Sequence, residues 1–250
     1  MANTAKLTER IYDDVLNAFD RRYRRKKLTN LCISVLIAAL GVSSLLYGIR
    51  LESIRTIFRW MTVDGTVFTT LGALAFIVIN LVEIWRNTEM TRKLVYYIRL
   101  SSALAESVIF IVVTVSQLPL FPEHPPIFDR YDSFVMHILI PLLGIASFLT
   151  NDSPIGKLNA AQRWHGTWFV TFYAVIIMTL IVSEILPTEM IPYYFLDFRH
   201  HAGAAAFAFA FIYGCAYLMG WCLSEWNRKL SWRWFKGIAR GKTKERNEKA

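Results

Sequence analysis

The chain has 250 residues, of which 54% are hydrophobic and 19% charged, with a net charge of +9 and a mean hydropathy of +0.35. Soluble domains average about 25% charged residues, and the apolar residues here fall in blocks long enough to cross a bilayer. That excludes intrinsic disorder, a disulfide scaffold and a soluble nucleic-acid-binding domain, and predicts an all-α integral membrane protein.

Residues 1–28 are basic and read as amphipathic. Leu7, Ile11, Val15, Phe19 and Tyr23 recur at intervals of four ahead of the cationic run Arg21–Lys27, as in a helix lying on the inner leaflet; a partner-binding helix is the competing reading. No cleavable signal peptide is expected. A bilayer core of roughly 30 Å takes about 20 apolar residues per helix, and six stretches qualify: 29–48, 64–84, 99–119, 134–150, 165–187 and 203–224. Each is continuously apolar rather than alternating, which favours helices over barrel strands. The fourth is short and contains Pro141, which predicts a kink or an extension into 131–133. The tail 225–250 interleaves tryptophan with cations in WNRKLSWRWFKG, as an interfacial anchor does.

Lysine and arginine in the flanks orient the spans. The segment before the first span carries 8, the tail 9, the second-to-third loop 4 and the fourth-to-fifth loop 2, so that 23 of 28 fall on one side. Only Arg50, Arg55, Arg59, Arg130 and Arg199 fall on the other. Six transmembrane helices with both termini cytoplasmic follow. The basic ends need no nucleic acid, because anionic lipid headgroups attract them at about 1 kcal/mol per cation. Cys32, Cys215 and Cys222 lie within the spans and suggest no disulfide framework, and no internal repeat is visible.

Ionisable groups inside a bilayer are costly and mark functional sites. This topology gathers one set at the outer end: Thr62 and Asp64 opening the second span, Asp132 and His137 at the fourth, and Asp197, His200 and His201 before the sixth. A hydroxyl becomes a nucleophile when a base lies within reach, and a carboxylate can orient that base, so threonine and histidine here suit acyl transfer at a site opening sideways to lipid. Structural readings stand beside it, since threonine commonly bonds its own helix backbone and a lone histidine can tie two helices together. His137, His200, His201 and Asp197 as zinc ligands are a further reading, but no HExxH-like spacing accompanies them, and no metal is expected. His124 reads as a solvated loop residue. Toward the inner face, Asn80, Glu83 and Glu106 are intramembrane polar groups; Glu106 could pair with Asn80 or Arg99, or belong to a proton relay. No GxSxG elbow, Walker loop, dinucleotide-binding glycine run or haem-type histidine pair occurs, so no cofactor is expected.

Three segments carry a family resemblance. FRWMTVDGTVF leads through aromatics to Thr62, HILIPLLGIASFL sets His137 four residues before Pro141, and IPYYFLDF spans Tyr193 to Asp197 ahead of the last span. In these the chain resembles the androgen-induced, six-helix membrane proteins that hydrolyse fatty-acid esters of hydroxy fatty acids, most closely their bacterial relatives, over roughly residues 30–225. The resemblance implies Thr62 as nucleophile and His137 as general base, a lipid ester as substrate, and a bacterial cell membrane as location. Asp197 is a plausible orienter, and Tyr193, Tyr194 or backbone N–H groups at the start of the second span are candidate oxyanion donors. Position 66 departs from the bacterial pattern: a threonine stands where relatives commonly carry asparagine. The expectation is an intramembrane threonine hydrolase of lipid acyl esters. A non-catalytic scaffold or accessory subunit, with the basic ends as docking elements for a protein partner, and a small transporter using Glu106 and the outer histidines are the alternatives.

Overall fold

A computed structural model describes residues 2–52, 57–86, 93–117, 130–151, 154–193 and 196–247, with side chains described outside 2–23, 115–117, 151 and 234–247. The amphipathic spacing at 7–23, His124, Arg55, Tyr194 and the last turns of the basic tail therefore fall, in whole or as side chains, outside the described residues. Regular structure in the described chain is entirely helical: α1 (Ala2–Glu52), α2 (Met61–Arg86), α3 (Lys93–Ile111, continued by a π-helical turn Val112–Gln117), α4 (Tyr131–Thr150), α5 (Ala160–Val182) and α6 (Ala202–Asn247). Each of the six holds a stretch long and apolar enough to cross a membrane. The helix of residues 2–23 runs without interruption into the first apolar stretch.

Most of the helix ends differ from the apolar blocks by a few residues, for local reasons. The fourth helix takes in Tyr131–Ser133, and Pro141 produces no break. Instead Val135–Leu139 opens into a π turn in which the Ile140 N–H donates to the Val135 carbonyl. Proline has no N–H for the carbonyl of His137 and its ring crowds that carbonyl; a wider turn accommodates both. The fifth helix stops at Val182 rather than running to 187. Glu184 takes φ 59, its N–H turns back to the Ile181 carbonyl at 3.2 Å, and Leu186 donates to Leu180 at 2.9 Å. Arg199 finishes this cap by donating to the carbonyls of Ile181 and Leu186, the role a cation fills at a helix C-terminus.

α3 is the axis of the bundle and touches α2, α4, α5 and α6, while α1 lies against α2 and α4. Over its apolar stretch α3 is 72% buried and α6 only 11%. The most enclosed helix is also the least apolar, because α3 has the lowest mean hydropathy of the six, 1.5. Its interior positions include Arg99, Ser101, Ser102, Glu106 and Ser107, whereas Leu71, Val78, Phe172, Val182 and Phe207 on other helices are turned outward. An apolar exterior around a polar-lined interior is the distribution that a lipid environment selects.

The interior polar groups bind one helix to the next. Arg99 donates to Asn30 of α1 at 3.2 Å and to Ser147 of α4 at 2.6 Å, and lies 4.6 Å over the Phe76 ring of α2. Ser147 also donates to Asn30 at 2.9 Å. Lys27, which the flank count treats as a solvated cation, is instead buried in a 2.5 Å ion pair with Glu83. Asn227 of α6 donates to the Phe148 carbonyl at 2.8 Å, and the Ser101 hydroxyl accepts the Phe169 N–H at 3.0 Å. Glycine allows the closest approach, between α1 and α2. A Cβ on Gly41 would stand 1.9 Å from the Thr70 hydroxyl and 3.1 Å from its Cβ, so the Gly41 Cα–H faces that hydroxyl directly, a contact known at helix–helix interfaces.

Two stability predictions follow from these contacts. Gly41→Ala has no space unless α1 and α2 separate, since the Thr70 methyl also lies 3.2 Å away; it should cost about 1–3 kcal/mol, read as a lower Tm of purified protein. Glu83→Gln leaves the buried Lys27 ammonium without its counter-charge and should cost about 3–5 kcal/mol. Lys27→Met together with Glu83→Met should recover most of that loss.

Candidate functional site

The helices deliver the residues expected at the outer face to one end of the bundle, opposite the chain termini. There a cavity of about 300 Å³ is lined by Glu52 at the end of α1, Ile57 and Trp60 on the approach to α2, Thr62 and Val63 in its first turn, Arg130, Asp132, Ser133, Met136 and His137 around the start of α4, and Tyr193. A second, apolar slot of about 70 Å³ lies between α2, α3, α5 and α6, walled by residues such as Val108, Ile109, Ile177 and Phe209. Thr62 and Tyr193 line both spaces. They form the boundary between a charged chamber and a greasy one.

Thr62 is held from two directions. The turn before α2 is closed by Trp60 N–H donating to Ile57 at 3.3 Å and by Val63 and Asp64 donating to the Trp60 carbonyl. The Tyr173 hydroxyl donates to the Arg59 carbonyl at 3.0 Å, and Arg59 stacks 5.0 Å over Trp60. Trp60 meets Tyr193 edge-on at 5.9 Å, and the Tyr193 side chain hydrogen-bonds that of Thr62. Burial pushes the Tyr193 hydroxyl up to about 12, so it remains a proton donor throughout the neutral range. Thr62 is in the first turn of α2, where backbone N–H groups have no partner within the helix and the helix dipole presents its positive end.

His137 occupies the middle of the π turn. Its Nδ1 lies 2.8 Å from the Ser133 carbonyl and 3.2 Å from the Ser133 hydroxyl. A carbonyl can only accept, so Nδ1 carries the proton and the lone pair of the neutral ring is on Nε2. Nε2 makes no hydrogen bond among the described residues. Thr62 and His137 line the same cavity without a direct hydrogen bond between them; the partners they have are Tyr193 and Ser133.

The predicted carboxylates part company. Asp132 lines the cavity, 6% exposed, and takes both arms of Arg130 at 3.2 and 2.7 Å, while Arg130 lies 3.6 Å from Glu52. Asp64 is half-buried, does not line the cavity, and interacts electrostatically with Tyr173 and Tyr193. Asp197 does not orient His137. It accepts from His200 Nδ1 at 2.9 Å and from the His200 N–H at 3.3 Å, and its own carbonyl takes the His201 N–H at 3.0 Å. These bonds close the turn that feeds α6, and neither His200 nor His201, both exposed, reaches the cavity. Among the described residues no group of three or more His, Cys, Asp or Glu is placed to hold a metal ion.

Deeper in the bundle, Glu106 pairs with neither Asn80 nor Arg99. The Arg99 bonds run to Asn30 and Ser147, and the hydroxyl that interacts with Glu106 belongs to Thr69. Asn80 is buried, with its amide nitrogen lacking a partner. Thr66 is fully buried one turn below Thr62, and its hydroxyl also lacks a partner. Sequence reading missed Ser133, Arg130, Glu52 and Trp60. Two of them carry a local signal: serine four residues before His137, on the same helical face, and arginine two residues before Asp132.

The fold and site together define a bundle of six helices, each long and apolar enough to cross a membrane, with a charged cavity at one end that meets an apolar slot. Comparison of the chain with family models, curated proteins and solved structures gives no match.

The turn before α6 generates a pH prediction. Burial alone would raise the Asp197 carboxyl, but hydrogen bonds from the His200 ring and N–H outweigh it and hold the group below the usual carboxylate range. A depressed folded value means stabilisation that is present above the unfolded value and lost as pH falls through the folded one. Asp197→Ala should therefore lower Tm at neutral pH, and the gap from the native chain should close as the pH drops below the ordinary aspartate range.

Proposed function

We propose that the protein is an intramembrane lipid-ester hydrolase with Thr62 as nucleophile and His137 as general base, its termini cytoplasmic and its cavity toward the outer face. The observation that carries this reading is the position of Thr62, at the boundary between the chamber that holds His137 and an apolar slot. An ester with its acyl chain in the slot presents its carbonyl at that boundary, with the polar remainder of the lipid in the chamber.

The chemistry follows from the named atoms. Thr62 exchanges its bond to Tyr193 for one to His137 Nε2, directly or through one water, and the base takes the hydroxyl proton as the oxygen attacks the carbonyl. Ser133 holds the ring so that Nε2 is the basic nitrogen, and its carbonyl steadies the imidazolium through Nδ1–H. The Tyr193 hydroxyl, released from Thr62, donates to the developing oxyanion at the positive end of the α2 dipole. His137 then protonates the alcohol as it leaves, and water, deprotonated by the same ring, cleaves the acyl-threonine. The Asp132–Arg130–Glu52 chain fixes the rim of the chamber.

The test is hydrolysis of a panel of long-chain esters by detergent-purified protein. Thr62→Ala and His137→Ala should each lower kcat by about 100-fold or more, with protein that remains folded. Tyr193→Phe should lower kcat about 100-fold with little change in KM, as expected of a donor used in the transition state. Turnover that survives both Thr62→Ala and His137→Ala would overturn the assignment.

A further inference from the structure

Glu106 is the least explained group in the molecule. It is fully buried in the central helix, and neither carboxylate oxygen is solvated or has a well-formed hydrogen bond. A carboxylate in such surroundings costs several kcal/mol unless its charge is met, and among the described residues no cation meets it.

Thr69 of α2 is a polar neighbour, and two more hydroxyls lie within a turn along α2 and α3. Ser102 lies one turn before Glu106 on the same face of α3. Across from them on α2 are Thr69, whose hydroxyl is 2.9 Å from that of Ser102 and interacts with Glu106, and Thr66, one turn closer to the outer cavity. The Thr66 hydroxyl is buried and unpartnered as well. On the third side is Gly144 of α4, where a Cβ would stand 3.6 Å from Glu106 Cγ; with no side chain there, α4 packs close to the Glu106 stem.

We propose that Glu106, Thr66, Thr69 and Ser102 form an intramembrane site for a small monovalent cation, with Na⁺ as the ion. Two carboxylate oxygens and three hydroxyls are hard donors, unsuited to the metals that seek nitrogen or sulfur. A single carboxylate balances one positive charge, whereas divalent sites gather several carboxylates. A buried water would satisfy hydrogen bonds but leave a charge unmet, and a proton would cancel the charge but leave the Thr66 hydroxyl without a partner; a cation does both. The site lies on α2 one to two turns below Thr62, about 6–10 Å along the helix. An ion there fixes α2 against α3 and α4 independently of any ester chemistry above it.

The test uses the full chain purified in detergent, with NaCl exchanged for choline chloride at constant ionic strength. Na⁺ should raise Tm saturably, by about 3–6 °C at excess, and the native protein should bind ²²Na⁺ that unlabelled Na⁺ displaces. Glu106→Gln and Thr69→Val should each abolish the rise. Should Glu106→Gln fail to fold, Thr69→Val and the ²²Na⁺ measurement on native protein decide the matter. Equal Tm in the two salts, no displaceable ²²Na⁺, or a rise that persists in either variant would overturn the site. None of these readings depends on hydrolysis, so loss of the ester-hydrolase reading leaves the cation site standing, and the converse holds.

Discussion

Arg99 is on the most enclosed helix, where a guanidinium is tolerable only with acceptors on several sides. Asn30 and Ser147 provide them from α1 and α4, and the Phe76 ring of α2 covers the remaining face. One side chain therefore sets the rotation of three neighbouring helices about α3, because each must present a particular residue at one level. The Lys27–Glu83 pair repeats the constraint a few residues nearer the termini, between α1 and α2. Once those registers are set, the far ends of the same helices have no freedom over which residues meet. Thr62, Asp132 and His137 come together at the opposite end of the bundle because Asn30, Glu83 and Ser147 are held at this one.

The interior is thus specified by hydrogen-bond geometry more than by apolar fit. Where the surroundings are as apolar as the core, burying another leucine gains little, and polar contacts and close backbone approach do the selecting. Gly41 against Thr70 and Gly144 against Glu106 are the second half of that arrangement. The cavity end follows the same logic, where Tyr173, Trp60 and Tyr193 brace Thr62 through a hydroxyl bond and ring edges.

Six helices were legible in the sequence because continuous apolar blocks of the right length have few other uses. Their ends were less so. The fifth block runs on to residue 187, but the helix ends at Val182 in a turn that Arg199, seventeen residues beyond, holds through the Ile181 and Leu186 carbonyls. The convergence of Thr62, His137 and Tyr193 at one end could be read because alternate loops of an antiparallel bundle share a face. Their actual partners could not. Nothing in sequence separates Lys27, buried beside Glu83, from the solvated cations next to it. Asp197 looked available to an imidazole and was, but the imidazole belongs to His200, three residues away, and the pair serves a turn.

The π turn at Val135–Leu139 amounts to one residue more than a regular helix would need to cover the same length. Each residue turns an α-helix by about 100°, so the widened turn changes the phase of α4 between its two halves. Asp132 and Ser133, before it, face the chamber, while Gly144 and Ser147, beyond it, face α3 and α1. A helix with no such phase change could serve one of these surfaces but not both. A lineage that lost Pro141 and one neighbouring residue would keep an apolar helix of adequate length and still dissociate the chamber from the interior network. Along α4, insertions and deletions are therefore more disruptive than most substitutions, and the length of this helix is as much a part of the site as its side chains.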